Sequence, residues 1–308
     1  MPQTLPNPTA QFKVATQNPA ASHRWDAPAP LRFWHLTSLD APTVAVVWSL
    51  AFAWAAKVSL PGWIPLLLAL AAWSVYIADR LLDARAALRT GNLQSLQSLR
   101  QRHWFHHRHR RLFVPLAIAA ACAAACIVVG VMPAAARERN SLLAVAALAY
   151  FTRVHSSRWL PVASGSSLVP RFKKEMLVGL LFTAACALPA LSRALAQSNG
   201  PIWPLSAAVV FFAMLAWLNC HAIERWETDD QSQRSSVFPL ACALALAGLL
   251  LAFMTPNPQS HCASLVATGT LSALLLALLD RLRNRLTPLA LRASADLVLL
   301  TPLALLVR

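Results

Sequence analysis

The stretch Val237-Phe238-Pro239-Leu240-Ala241-Cys242-Ala243-Leu244-Ala245-Leu246-Ala247-Gly248-Leu249-Leu250-Leu251-Ala252-Phe253-Met254 decides the fold. It contains no charge and no strongly hydrogen-bonding side chain. The hydrocarbon core of a bilayer, about 30 Å thick, is crossed by about 20 such residues in a helix. In that medium every backbone N–H and C=O must be paired within the segment, so the run is read as a spanning α-helix. Its neighbours follow the same pattern. Downstream lie His261–Leu282 and Thr287–Val307, the latter opened by Thr287-Pro288, a cap followed by a proline at the first helical position. Upstream lie segments at about Asp40–Leu60, Trp63–Asp83, Leu112–Met132, Asn140–Thr152, Glu175–Leu191 and Ile202–Trp226, the fourth being the shortest. The expectation is an all-α membrane protein of about nine transmembrane helices over residues 40–308. Residues 1–39 form an N-terminal segment, expected to be disordered to about Leu31 and interfacial from there, with no apolar signal-peptide run.

Composition agrees. Apolar residues make up 57% of the 308-residue chain and charged residues 13%; a soluble domain would have roughly 45–50% and about 25%. The net charge of +15 raises the question of a nucleic-acid partner. The basic residues, however, sit in short loops at 84–111, 153–174, 225–236 and 280–286, with no soluble basic domain to carry them. That pattern orients helices in a membrane, so no nucleic acid is expected. By the positive-inside rule the N-terminus is cytoplasmic and the C-terminus outside, and a bacterial cytoplasmic membrane is the expected location. The cysteines Cys122, Cys126, Cys186, Cys220, Cys242 and Cys262 fall in or beside apolar runs without a CxxC pair, and read as small apolar side chains.

The chain has twelve carboxylates, and six lie in two short segments. The first is Tyr76-Ile77-Ala78-Asp79-Arg80-Leu81-Leu82-Asp83. The second is Asn219-Cys220-His221-Ala222-Ile223-Glu224-Arg225-Trp226-Glu227, followed by Asp229 and Asp230. An acid near membrane depth costs about 2.5–3.5 kcal/mol on insertion scales and is by default a functional candidate. Asp79 and Asp83, at i and i+4, share a helical face; so do Glu224 and Glu227, at i and i+3, with Asn219 about 140° away. Two carboxylates on one face repel unless a cation lies between them. An all-oxygen donor set with open positions suits Mg²⁺, which keeps waters and accepts phosphate oxygens.

Taken with the nine-span pattern, these motifs resemble the UbiA superfamily of intramembrane prenyltransferases. Its members carry two aspartate-rich motifs at the inner ends of helices two and six. The first family motif is Asn-Asp-x-x-Asp-x-x-x-Asp; Asp79-Arg80-Leu81-Leu82-Asp83 matches its latter part, while Val75 and Tyr76 stand where Asn and the first Asp are found. Glu224, Glu227 and Asp229 or Asp230 stand in place of the second motif. Lys174 and the run Gly179-Leu180-Leu181-Phe182 through Pro189 resemble the fifth helix. The resemblance implies two four-helix bundles plus a ninth helix. It implies a Mg²⁺-dependent transfer of an isoprenoid group from a polyprenyl diphosphate to a lipophilic, often aromatic acceptor. Asp79, Asp83, Asn219, Glu224 and Glu227 would hold metal; Arg80, Arg153 and Lys174 would hold diphosphate; Tyr76 and His221 would line the substrate site. Trp73, Tyr150 and Phe182 are further candidates for the π faces that an allylic cation needs.

Each feature also has a plainer reading. Asp79 with Arg80 can be an interfacial ion pair ending a helix, Asp229 and Asp230 a solvated loop, and Lys174-Glu175 a helix start. His221 reads equally as a hydrogen-bonded structural residue. Arg292 and Asp296, at i and i+4, read as an intrahelical pair. In the basic run 102–111, His103, His106 and His107 have helical spacing for a metal, yet no Cys or acid nearby completes the set; a juxtamembrane segment on anionic lipid is the simpler account. Two other functions stay open: a non-catalytic isoprenoid- or lipid-binding protein on the same fold, suggested by the incomplete first motif, and a transporter using Asp296.

Overall fold

The structure is a computed structural model that describes residues 24–90, 101–156, 171–197, 201–228, 236–255 and 260–307. The described residues are overwhelmingly α-helical. In chain order the helices are α1 (Ala29–Leu36), α2 (Asp40–Ala56), α3 (Trp63–Thr90), α4 (Gln101–Arg108), α5 (Arg110–Gly130), α6 (Ala134–Ser156), α7 (Arg171–Gln197), α8 (Trp203–Thr228), α9 (Val237–Met254), α10 (His261–Leu282), α11 (Pro288–Leu297) and α12 (Leu303–Leu306). Seven helical segments among the described residues are long and apolar enough to cross a membrane, and these carry seven of the nine expected spans. The first expected span falls on α2, which makes a bent pair with α1; counting that pair gives eight. The fourth falls on α6, whose polar residues keep it below the same measure although Leu142, Val145 and Leu148 are exposed along it. The protein is thus an integral membrane protein with lipid-facing helices. The later turns of α3 and α8 approach the start of α2: Arg80 lies 3.9 Å from Asp40, and Asn219 donates to Asp296, which lies 3.8 Å from His35.

Helix α2 forms the centre, packing against α3, α7, α8, α10 and α11. Its Trp48 and Phe52 are fully buried and meet Phe212 of α8: Trp48 stacks on Phe212 at 3.8 Å between centroids, and Phe52 meets the same ring edge-on at 5.7 Å. The antiparallel pair α9–α10 is the most extensive helix contact. It closes on small residues, since lipid offers no hydrophobic drive for helices to associate and close backbone approach must supply the packing. Ala241, Ala245 and Gly248 form one buried stripe of α9. The Phe211 ring sits against Gly248 and Gly269 so tightly that an added Cβ on either would lie within 2.6 or 2.7 Å of a ring carbon.

The ninth expected span is broken into α11, a 3₁₀ turn at Val298–Leu300, and α12. Pro302 explains the break: it has no N–H for the carbonyl of Val298 four residues earlier, and its ring crowds that carbonyl. Broken backbone inside a membrane persists only where protein groups pair it. Ser272 donates to Val298 O at 2.7 Å, the Trp48 indole donates to Leu299 O at 2.8 Å, and Thr301 donates to Thr268 O at 2.8 Å. At the other end, residues 24–28 are pinned by Trp25 N donating to Arg285 O and Thr287 N donating to Trp25 O. Replacing Ser272 with alanine is expected to leave the Val298 carbonyl without this donor. We expect a loss of about 1 kcal/mol, measured as a lower unfolding midpoint in detergent, with little change in helix content.

Candidate functional site

Helices α1 and α2 meet at 90°. The corner turns on Ser38, a fully buried serine with φ of 61°. A non-glycine residue in this left-handed region costs about 1–3 kcal/mol and persists only where its surroundings fix it. The surroundings here are polar and specific. Trp73 of α3 donates to Thr37 O at 3.0 Å. Arg80, about two turns further along α3, is buried and donates to Ser38 Oγ at 2.6 Å, with a longer contact to His35 O at 3.5 Å.

The hydrogen positions on the other side follow by elimination. His106 Nδ1 lies 2.9 Å from Arg102 O, and a carbonyl can only accept, so Nδ1 carries the proton. Nε2 is then the acceptor, taking the Ser38 hydroxyl proton at 3.1 Å. The relay reads Arg80 to Ser38 to His106 to the Arg102 carbonyl, and it requires neutral imidazole. Burial, followed by the positive charge of Arg80, pushes the His106 pKa down to about 3.

On the inner side of the corner lie three ligand-type side chains. His35 Nδ1 is 2.7 Å from Asp40 Oδ2 and 3.8 Å from Asp296 Oδ2. Arg80 Nη2 is 3.9 Å from Asp40 Oδ2, and Asn219 Nδ2 of α8 donates to Asp296 Oδ1 at 3.2 Å. Asp40 Oδ1 accepts from the Ala41 N–H at 3.0 Å. The 2.7 Å separation is short enough for a hydrogen bond, yet the Asp40 oxygen lies off the direction in which a ring N–H points, so Nδ1 has no aligned partner. A continuous polar chain, buried except at the partly exposed Asp296, therefore runs from Arg80 of α3, through Asp40, His35 and Asp296, to Asn219 of α8.

Four of the residues singled out in the sequence belong to this chain or touch it: Arg80, Asn219, Asp296, and Tyr76, whose ring lies 5.5 Å from the Arg80 guanidinium. The acids are distributed around it. Asp79 is near enough to Tyr150 of α6 to interact electrostatically with it, and Asp83 is 3.8 Å from His103 of α4. Glu227 accepts from Arg292 of α11 at 2.6 Å. Glu224 is half-buried one turn before it. His221 donates from Nδ1 to Glu175 at 2.9 Å, with Nε2 facing Ser236 at 3.5 Å; it bridges α7, α8 and the start of α9. Among the described residues, the one group of three ligand-type side chains within 4.8 Å is His35, Asp40 and Asp296, not Asp79, Asp83, Glu224 and Glu227. Arg292 and Asp296, expected as an intrahelical pair, act on each other electrostatically, and each also has a hydrogen-bond partner on α8. Phe182 packs toward Phe212 in the core, 6.3 Å between centroids. Arg153 and Lys174 lie on α6 and α7, but their side chains, like Asp229 and Asp230, are outside the described residues.

Beside Glu227 opens a cleft of about 80 Å³ lined by Arg24, Arg225, Arg283, Arg292 and Asn284. Four guanidinium groups around one carboxylate suit a polyanion. Sequence reasoning did not anticipate His35, Ser38, Asp40, His106 or Asp296 as one site. The available signal was the spacing His35-x-x-Ser38-x-Asp40 ahead of an apolar run, where Asp40 opens the first expected span. Comparison of the chain with family models, with curated proteins and with solved structures finds no match.

The His106 relay has a definite pH signature. Its folded pKa lies below the ordinary value of 6.5, so the unfolded chain takes up a proton first as pH falls. The stability it contributes is present above about 6.5 and is lost progressively toward about 3. His106→Gln is expected to reduce the slope of unfolding midpoint against pH in that window, measured in detergent with unaltered Ser38 and Arg80.

Proposed function

We propose that the chain is a UbiA-like, Mg²⁺-dependent prenyltransferase of a bacterial cytoplasmic membrane, with its N-terminus inside. It would move an isoprenoid group from a polyprenyl diphosphate to a lipophilic acceptor. The observation that carries this reading is the polar chain joining Arg80, in the first acidic motif, to Asn219, in the second. The reading requires the motif-bearing ends of α3 and α8 to address one place, and that chain links them. The arginine cleft beside Glu227 adds a polyanion-binding surface at the same end of α8. The donor set Asp79, Asp83, Asn219, Glu224 and Glu227 is entirely oxygen and suits Mg²⁺, which would neutralise the diphosphate and ease its departure.

In the reaction the allylic C–O bond breaks, with its electron pair leaving on diphosphate. The allylic carbon bonds to the acceptor, which loses a proton. Asp79 and Asp83 hold their carboxylates on one face of α3. Arg80 keeps that helix against the α1–α2 corner, and Tyr76 offers a π face one turn earlier. The arginines of the cleft hold the departing charge, and the apolar helices keep water from the allylic centre. A second reading is favoured by one observation, the partly buried Asp296 set against the buried Asp40 and His35: a transporter that couples through Asp296. Ion flux in proteoliposomes that disappears with Asp296→Asn, without any diphosphate release, would select it.

The discriminating assay uses purified protein, a labelled allylic diphosphate and Mg²⁺. Wild type is expected to release diphosphate and to stop on chelation, and Asp79→Asn with Asp83→Asn is expected to slow release by more than about a hundredfold. Transfer that survives both substitutions removes the proposal. Isoprenoid binding without diphosphate release at any Mg²⁺ concentration identifies a lipid-binding protein instead.

A further inference from the structure

We infer that His35, Asp40 and Asp296, completed by Asn219, form a binding site for one divalent transition-metal ion at the α1–α2 corner. The inference does not rest on the transferase reading; of that reading's metal donors it uses only Asn219.

Geometry comes first. One ligand atom from each of His35, Asp40 and Asp296 lies within 4.8 Å of the other two. Zinc–ligand bonds of about 2.0–2.1 Å place tetrahedral donors about 3.4 Å apart and octahedral neighbours about 3.0 Å apart. The measured 2.7 and 3.8 Å bracket both values. The second observation concerns polar atoms left over. His35 and Asn219 are 2% and 5% exposed, yet His35 Nδ1 and Asn219 Oδ1 have no aligned hydrogen bond. Buried polar atoms are rarely left in that state. Both belong to groups that already touch the carboxylates, and both are lone-pair donors when His35 is the Nε2–H tautomer. The Asn219 amide also turns easily in assignment, because its O and N differ only by their partners. Rotated, its oxygen faces Asp296, an arrangement that a cation or a proton between them makes favourable.

Charge gives the same answer. Asp40, buried, and Asp296, partly buried, meet here; Arg80 lies 3.9 Å from Asp40, and Arg292 acts electrostatically on Asp296. Arg292 also donates to Glu227 at 2.6 Å, so two guanidinium groups are shared among three carboxylates. Two carboxylates in contact need a proton or a cation between them. The imidazole decides the class of cation: nitrogen with carboxylate oxygen selects zinc, manganese, iron or cobalt over magnesium and calcium. A bound ion would tie α1, α2, α8 and α11 together from a point adjoining the strained Ser38.

The experiment is a titration of purified, chelator-stripped full-length protein with Zn²⁺, and separately with Co²⁺, whose visible absorption reports its coordination. About one equivalent of Zn²⁺ is expected to bind, to raise the unfolding midpoint, and to persist in millimolar Mg²⁺. Asp296→Asn and His35→Gln are each expected to weaken binding by more than about tenfold. Asp83→Asn is expected to leave it unchanged, which separates this site from the proposed Mg²⁺ donors. Should Asp296→Asn fold poorly, the wild-type Co²⁺ spectrum decides alone, since nitrogen ligation alters it. No stoichiometric Zn²⁺ binding by wild type, or binding indifferent to both His35 and Asp296, overturns the inference and leaves a carboxylate pair sharing a proton.

Discussion

Two carboxylates held in contact inside a membrane protein set the terms for everything around them. Asp40 and Asp296 come from opposite ends of the sequence and meet across His35. In a low-dielectric interior their repulsion is large, and an uncompensated buried charge costs several kcal/mol. The surrounding chain supplies the compensation piece by piece. Arg80 approaches from α3, the Asn219 amide from α8, and the Ala41 N–H from the first turn of α2. Each of these comes from a different element, so the electrostatics act as a fastener for the bundle's centre. The strained Ser38 follows from the same demand: only a tight turn there puts His35 and Asp40 on facing sides of one small space while presenting a hydroxyl to Arg80.

Much of the architecture was legible in the residues because the bilayer leaves few options. An uncharged run such as 237–254 has one stable form in hydrocarbon, and its helix matches the expected bounds. The less apolar segments were harder. Asn140–Thr152 is a short apolar island within α6, which extends well beyond it on both sides; its length reflects helix continuity through polar residues rather than hydropathy. The bend between α1 and α2 was invisible to pattern reading, since it depends on partners on α3 and α4 that lie far off in sequence.

The site was legible in part, and for a physical reason. Motif spacing reports which residues share a helical face, so Asp79 with Asp83, and Glu224 with Glu227, stood out. It does not report which faces meet. Arg80 and Asn219 were singled out as neighbours of acids, and they are the members of those motifs that reach the buried network. Asp40 was hidden because an acid at a helix start already has an adequate local explanation in the helix dipole. Asp296 was hidden by Arg292 four residues before it, a spacing that suggests a pair. In the fold the two still act on each other, but Arg292 also reaches Glu227 and Asp296 also reaches Asn219, because a second helix packs alongside.

The manner of fixation bears on what such a site is suited to do. A carboxylate that couples transport must exchange its partners as access alternates between two faces of the membrane. Here the corner that carries His35 and Asp40 is held by Trp73, by Arg80, and through Ser38 by His106, while the helix that carries Asp296 leads into a break at Val298–Thr301 whose carbonyls are taken up by Ser272 and Trp48. Exchanging partners at Asp296 would expose several of these groups at once in a medium that cannot solvate them. An arrangement so fully cross-braced suits a fixed constellation that holds a ligand in one geometry, and preorganisation of that kind is what metal binding and charge-stabilising catalysis both require.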